Sequence, residues 1–587
     1  MKTTLLVLAA LLALGLAHRA WPEAAPPGPA GSASPEAPGA SDPLGLRGAR
    51  GRVFHVAGDD PRADDGNDGS PGRPWKTLGR AAALGVLRPG DVVYVRAGLY
   101  REAVTPHEGG TGPEARVTFA AWPGESVVIS GADPADAGWE RAGPNLWRRA
   151  WEGEGLRAYN GDPVFRRELL VAGGHVLRPV FRREALEPGT FYVEGTDAAP
   201  RFVVARFPGD RTPSEAGPVE LGTRAFLFRP RGPREHVPCG DPSTPGWFRL
   251  VGITFRYAAN RAQWGAVCTG REGALFEDVT VEWTNGRGFD TDGTGHVLRR
   301  THARFNGQTG YGGACSGCLL EDGSAVGNNW KGHDPFWEAG GGKWAGTRET
   351  VFRRMRFEDN EGPGLWLDGD NADNTVEDGW FARNLVAGIM LELATVRTLV
   401  QHNHVSGTRW RAWSGTGILS QAASANVLMH NDVYANEGTG LWLRLDPERR
   451  APDGRNVVHA NRVVGNARRA GVEAREVAVE GLSPAHVRTT RWSGNVYGAH
   501  AGDPLFRSTF YLHPVDGAEA GLRSNDLAAW QRLAAGDAAA RLVSDRLVEV
   551  PVRAPGPLRA GAALAPPRPA ARAGAAPPNF HPTPPSP

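Results

Sequence analysis

From about residue 249 the chain alternates short apolar strands with Gly and Asn, and the alternation recurs. Asn360 precedes Gly364-Leu365-Trp366-Leu367-Asp368, Asn384 precedes Gly388-Ile389-Met390-Leu391-Glu392, and Asn436 precedes Gly440-Leu441-Trp442-Leu443-Arg444. Weaker copies begin at Gly417 and Gly471. Equivalent glycines lie 24, 29, 23 and 31 residues apart, a period that marks a solenoid with extra residues placed in loops. No helix-length pattern separates the copies, so the unit is all β. The fold predicted is a right-handed parallel β-helix, each coil stacked on the next at about 4.8 Å. A recurring Asn at one corner can form a hydrogen-bonded ladder inside the turns.

Alternation also assigns faces, because successive side chains of a strand point to opposite sides. If Leu365, Leu367, Ile389 and Leu391 face the core, then Trp366, Asp368, Met390 and Glu392 face out. Trp442 and Arg444 follow the same parity two coils on. Asp368 and Glu392, one coil apart at one position, are therefore expected side by side on the outer surface.

The rest of the chain divides by composition. Residues 1–20 read as a signal peptide: Lys2, an apolar run from Leu5 to Leu16, and a small-x-small site at Gly15-Leu16-Ala17. The run is too short for a membrane span, so a secreted or periplasmic protein is expected, with no membrane insertion after cleavage. Residues 21–50 and 553–587 are Pro- and Ala-rich and read as disordered. Residues 51–135 hold an N-terminal cap and first coils, with strands such as Val53–Val56 and Val92–Val95 and a short helix near Trp75–Leu87. The rhythm changes over 136–245, where strands at Thr190–Val193 and Phe202–Val204 sit among Pro-Gly turns. This stretch is expected to be an inserted β-rich subdomain. The β-helix then spans 246–500, and 501–552 form a C-terminal cap with a helix at Asn525–Leu533.

Composition removes some functions. The chain has 587 residues with 66 basic and 64 acidic side chains, which lacks the basic excess of a nucleic-acid binder. Cys239, Cys268, Cys315 and Cys318 permit two disulfides in an exported protein, with connectivity open. The Cys-x-x-Cys at 315–318 has no second pair at finger-like spacing, which disfavours zinc. Only four of the basic residues are lysines, among them Lys331 and Lys343. A retained Lys suits a position that needs a compact ammonium able to lose its proton.

Candidate chemistry gathers on the outer row. Two carboxyls on adjacent coils have the backbone spacing that a retaining glycosidase needs, about 5–5.5 Å between carboxyl groups. Like charges that close also push the two pKa values apart, which separates an acid from a base. Trp366 and Trp442 are expected to offer stacking platforms for sugar rings. One coil earlier come His333, Trp337, Glu338, Lys343 and Trp344; Asp290 and Asp292 precede them, and Gln421 and Arg444 continue the row. Interleaved charge and Trp is what sugar hydroxyls and ring faces require, so an oligosaccharide or polysaccharide is the expected partner.

The motif Gly364-Leu365-Trp366-Leu367-Asp368, with Asn384 and Leu391-Glu392 one coil later, resembles glycoside hydrolase family 120, the β-helix β-xylosidases. That family reads Gly-Ile-Trp-Leu-Asp, then Asn, then the Glu of Glu-Val-Asn-His-Gly-Pro, and carries a β-sandwich inserted in its helix. The resemblance implies Asp368 as nucleophile and Glu392 as acid/base. After Glu392 this chain has Leu393-Ala394-Thr395 instead of the family's continuation, so the specific match covers about thirty residues.

The expectation is thus a retaining glycoside hydrolase with Asp368, Glu392 and Lys343 in the catalytic set. Trp366, Trp442, Glu338, Trp344, His333, Gln421 and Arg444 are expected to bind substrate, with no metal or other cofactor. One alternative is a polysaccharide lyase or epimerase on uronate polymers, with Lys343 as base and calcium beside it. The other is a non-catalytic carbohydrate-binding or surface protein.

Overall fold

The computed structural model describes residues 42–153, 155–156, 161–232, 237–444, 455–469, 471, 474–480, 489–499, 507–513, 522–534 and 540–544. The expected signal peptide, most of the 21–50 linker, the 553–587 tail and much of 501–552 lie outside the described residues.

Short strands stack coil on coil into three long sheets. Two have 13 strands and the third has 11 among the described residues. Pairing is parallel and in register along nearly the whole length, as where Phe248–Val251 lies between Val117–Ala121 and Leu275–Glu277. Inward positions are large and apolar, and like sits on like. Phe289 lies flat on Tyr311 at 5.0 Å, and Phe357 on Phe381 at 5.2 Å. One continuous core follows, running from Val56 to Ala540. Such stacking buries apolar area at roughly 25 cal/mol per Å² while each coil needs only its neighbours.

The corners are held by the recurring Asn residues. Asn306, Asn328, Asn360 and Asn384 form a chain in which each Nδ2 donates to the next Oδ1 at 2.8–3.0 Å. A second ladder runs Asn403–Asn431–Asn461–Asn495. These amides also cap backbone groups that the turns would leave unpaired, which is the main cost of burying a turn. The ladder through Asn436 and Asn466 ends on the carboxylate of Glu476. That changes the expected repeat. The position equivalent to Gly440 is Glu476 rather than Gly471, since Leu441 pairs with Val477.

Between Val127–Ser130 and Phe248–Val251 the chain leaves the coils and builds two smaller, mainly antiparallel sheets of four and five strands. They share a separate core that includes Leu170, Phe191, Val203 and Phe207. The coil pairing resumes on return, with Ile253–Arg256 beside Val127–Ser130. Helices are few. Leu78–Ala82 is shorter than expected and is capped by the Thr77 side chain. Leu527–Ala534 places Trp530 against Phe510 and Trp492, at the end of the core. Among the described residues no helix is long and apolar enough to cross a membrane. The disulfides are Cys239–Cys268 and Cys315–Cys318.

The third sheet carries the candidate site. Its strands are labelled β1 (Gly265–Cys268), β2 (Arg287–Asp290), β3 (Thr309–Gly313), β4 (Gly340–Trp344), β5 (Leu365–Asp368), β6 (Ala387–Glu392), β7 (Thr416–Gln421), β8 (Leu441–Arg444) and β9 (Ala474–Glu480).

Candidate functional site

Register on this sheet creates two parallel rows two residues apart. One runs Lys343, Trp366, Met390, Leu419, Trp442 and Ala478 on β4 to β9. The other runs Asp368, Glu392, Gln421 and Arg444 on β5 to β8. Leu365, Leu367, Ile389 and Leu391 point inward and are fully buried, which fixes both rows on the outer side. Asp368 and Glu392 are direct cross-strand partners.

Lys343 ties the carboxylates together. Its Nζ lies 2.8 Å from Asp368 Oδ2 and 3.0 Å from Glu338 Oε1, and it also donates to the Trp337 carbonyl. The ammonium sits 3.9 Å from the centre of the Trp366 ring, a cation–π contact. Trp366 Nε1 in turn donates to Glu392 Oε2 at 3.0 Å. Burial acts to lower the Lys343 pKa, but Glu338 and then Asp368 outweigh it, and the net shift is upward. Oδ1 of Asp368 is buried and has no hydrogen-bond partner. One oxygen of Asp368 is therefore held while the other is left over.

The expected stacking surface is covered. Trp366 is 2% exposed and Glu392 5%, where outward-facing positions had implied open solvent. Loops account for this. Trp366, Met390 and Leu419 form an apolar cluster completed by Phe336 and Trp442. Phe336 stacks on Trp413 at 5.1 Å, and Trp413 meets Trp442 edge-on at 5.8 Å. Trp366 thus serves Lys343 and Glu392 rather than a sugar face. Trp442 is only half-buried.

Trp344 requires a plainer correction. It pairs with Leu367, points inward and is fully buried, with Nε1 on the Thr291 hydroxyl at 3.1 Å. Next to an outward Lys343, strand alternation leaves it no other side, so it cannot contact substrate. His333 is also buried, against Phe165 at 5.1 Å. Neither of its ring nitrogens has a partner, and burial, helped by Lys331, lowers its pKa to about 3. It lies at the seam between the solenoid and the segment before Phe248 rather than on the outer rows. Lys331 there donates to Asn285 Oδ1 and the Arg166 carbonyl, and burial lowers its pKa to about 8. Glu338 and Arg444 do stand at the site, the latter within 3.4 Å of Gln421 and over the rings of Trp413 and Trp442.

Asp290 belongs to the Lys343 row, two coils earlier through Gly312. Burial, then the neighbouring Asp292, raises its pKa to about 7. Asp292 lies beyond the strand, with Oδ1 accepting from the Ala314 amide. Among the described residues no group of three or more His, Cys, Asp or Glu is placed to hold a metal ion.

Phe165, Phe336 and Trp413 were not anticipated. Phe336 and Trp413 come from loops and Phe165 from the short 3-10 turn Pro163–Phe165, where strand periodicity says nothing. The wide spacing between Gly388 and Gly417 was the available signal, since its extra residues hold Trp410 and Trp413.

Comparison with known proteins bears on the fold. The family model described as right handed beta helix region matches residues 264–409. No curated protein matches the chain. Among solved structures, XylC in complex with xylose has a TM-score of 0.59 at 16% identity, covering 79% of this chain and 86% of that one. A structure titled glycoside hydrolase scores 0.34 at 13% identity, covering 80% and 97%. The mannuronan C-5 epimerase AlgE6 A-module of Azotobacter vinelandii scores 0.34 at 12%, covering 77% and 90%. With its long parallel sheets, the family-model match and the likeness to XylC, the chain is a right-handed parallel β-helix protein.

Proposed function

We propose that the chain is an exported carbohydrate-active enzyme, a retaining glycoside hydrolase with Asp368 as nucleophile and Glu392 as acid/base. One observation carries this: the two carboxylates are register partners on consecutive coils. Adjacent strands are about 4.8 Å apart, within reach of the 5–5.5 Å carboxyl separation of retaining enzymes.

The surroundings support the division of roles. Asp368 attacks the anomeric carbon, while Glu392 gives its proton to the departing glycosidic oxygen. Water then attacks the glycosyl ester, its proton returns to Glu392, and Asp368 is released with anomeric configuration retained. Lys343 supplies a fixed counter-charge to Asp368 and Glu338 without solvent rearrangement. Trp366 orients Glu392 through its N–H. The upward pKa shift of Lys343 disfavours its service as the base of a lyase. Export rests on the N-terminal charge, apolar run and small-residue site.

Mass spectrometry of products from a panel of plant and bacterial glycans tests this, with wild type beside Glu392→Gln. Products carrying added water and missing from the variant are expected. Unsaturated products, or equal turnover by the variant, would overturn it.

A further inference from the structure

Beyond Glu392 the apolar row is interrupted. Trp442 and Tyr511 are both bulky, and the residue between them in register is Ala478. The missing bulk leaves a small, solvent-open pocket of about 60 Å³, whose walls are Trp410, Trp413, Thr439, Trp442, Arg475 and Tyr511. We propose that this cavity is a second sugar-binding subsite, taking a pyranose ring of the same oligosaccharide whose glycosidic bond lies at Asp368 and Glu392.

Two observations carry the assignment. The walls combine flat aromatic faces with a guanidinium, the pairing that binds the apolar and hydroxyl sides of a sugar ring. The cavity also continues the site already described. Gln421 and Arg444 extend the Asp368–Glu392 row toward it, and Trp442, on the row that begins at Lys343, is one of its walls.

Trp442 lies two coils past Trp366's neighbour Met390, roughly 10 Å along the axis at ~4.8 Å per coil. That is too far for a ring joined at the scissile bond and suits one further along the chain. The substrate is accordingly an oligosaccharide running parallel to the solenoid axis toward the later coils. The direction rests on the hydrolase reading, whereas the subsite rests on the cavity and its walls.

The two are separated by measuring binding without turnover. Calorimetric titration of full-length Glu392→Gln protein would use xylo-, cello- and chito-oligosaccharides from disaccharide to hexasaccharide. Affinity in the recognised series is expected to rise with length until the cavity is reached. Adding Trp413→Ala, at a residue 37% exposed, should weaken the longest ligands about five- to tenfold. Trp413→Phe should restore most of that loss. Affinity that is flat with length, affinity indifferent to Trp413→Ala, or no binding across the panel would overturn the subsite. Wild-type cleavage of aryl glycosides alongside flat affinity would leave the hydrolase reading standing alone. Length-dependent binding lost with Trp413, but no cleavage, would leave the subsite standing alone.

Discussion

The Nζ of Lys343 lies 2.8 Å from Oδ2 of Asp368, although the two residues occupy different rows of the sheet. Lys343 is the register partner of Trp366, two residues short of Asp368, and its side chain crosses the indole to reach the carboxylate. Asp368 and Glu338 thereby share one cation, in a setting largely closed to water. The side chains of Asp368 and Glu338 each retain 18% exposure, so the site opens at their edge.

Lys343→Met leaves Asp368 and Glu338 facing each other without that charge. Removing one partner of a buried ion pair costs about 3–5 kcal/mol, and the partial exposure of the carboxylates puts this variant near the lower end. The loss should shrink as pH falls, because protonation discharges the two acids. Thermal unfolding of wild type and variant at neutral and acidic pH measures it; a pH-independent difference would contradict the role.

Glu392→Gln removes the proton donor, and general acid catalysis contributes about 10²–10⁴-fold. The loss should be large on substrates with poor leaving groups and small on aryl glycosides whose leaving group needs no proton. Comparing kcat/KM across an aryl glycoside series tests the assignment. An equal loss at both extremes would remove Glu392 from the acid role.

His333 makes stability depend on pH. Its pKa is about 3 when folded, against 6.5 for the ordinary side chain, through burial and then Lys331. The unfolded chain therefore binds the proton first. The contribution of neutral His333 is complete above pH 6.5 and is lost as pH falls toward 3, at up to about 1.4 kcal/mol per pH unit. His333→Gln should flatten the stability profile between pH 6 and 4, whatever its effect at neutral pH. Denaturant midpoints across that range measure it, and parallel profiles would count against it.

Asn360 donates to the Ala325 carbonyl and to Asn384, and accepts from the backbone and side chain of Asn328. Asn360→Ala strands several buried groups, each worth about 1–3 kcal/mol when left unpaired. With partial relaxation, about 3 kcal/mol is expected from urea unfolding. A loss below about 1 kcal/mol would mean that the ladder is not a principal support of the corners.

Much of this arrangement is legible in two motifs. Leu365-Trp366-Leu367-Asp368 and Ile389-Met390-Leu391-Glu392 alternate strictly, and a spacing of one period places Asp368 beside Glu392 without further information. Trp344 shows how narrow that logic is: a step of one residue from Lys343 reverses the side chain into the core. Strand parity puts Trp366 on the outer face, where it lies, but cannot report what a loop lays on top. Phe336 and Trp413 belong to such loops. Gly471 misled for a related reason: the ladder there ends on Glu476, so the repeat persists in geometry after it has left the residue pattern.

The central claim is that Asp368 forms a bond to sugar. The direct measurement is intact mass of the protein after incubation with dinitrophenyl 2-deoxy-2-fluoro glycosides matched to the sugar that it cleaves. The account predicts a gain of one fluorosugar on wild type, recovered on the peptide containing Asp368 and absent from Asp368→Asn. Turnover without any mass gain, or a label on a different residue, would contradict it.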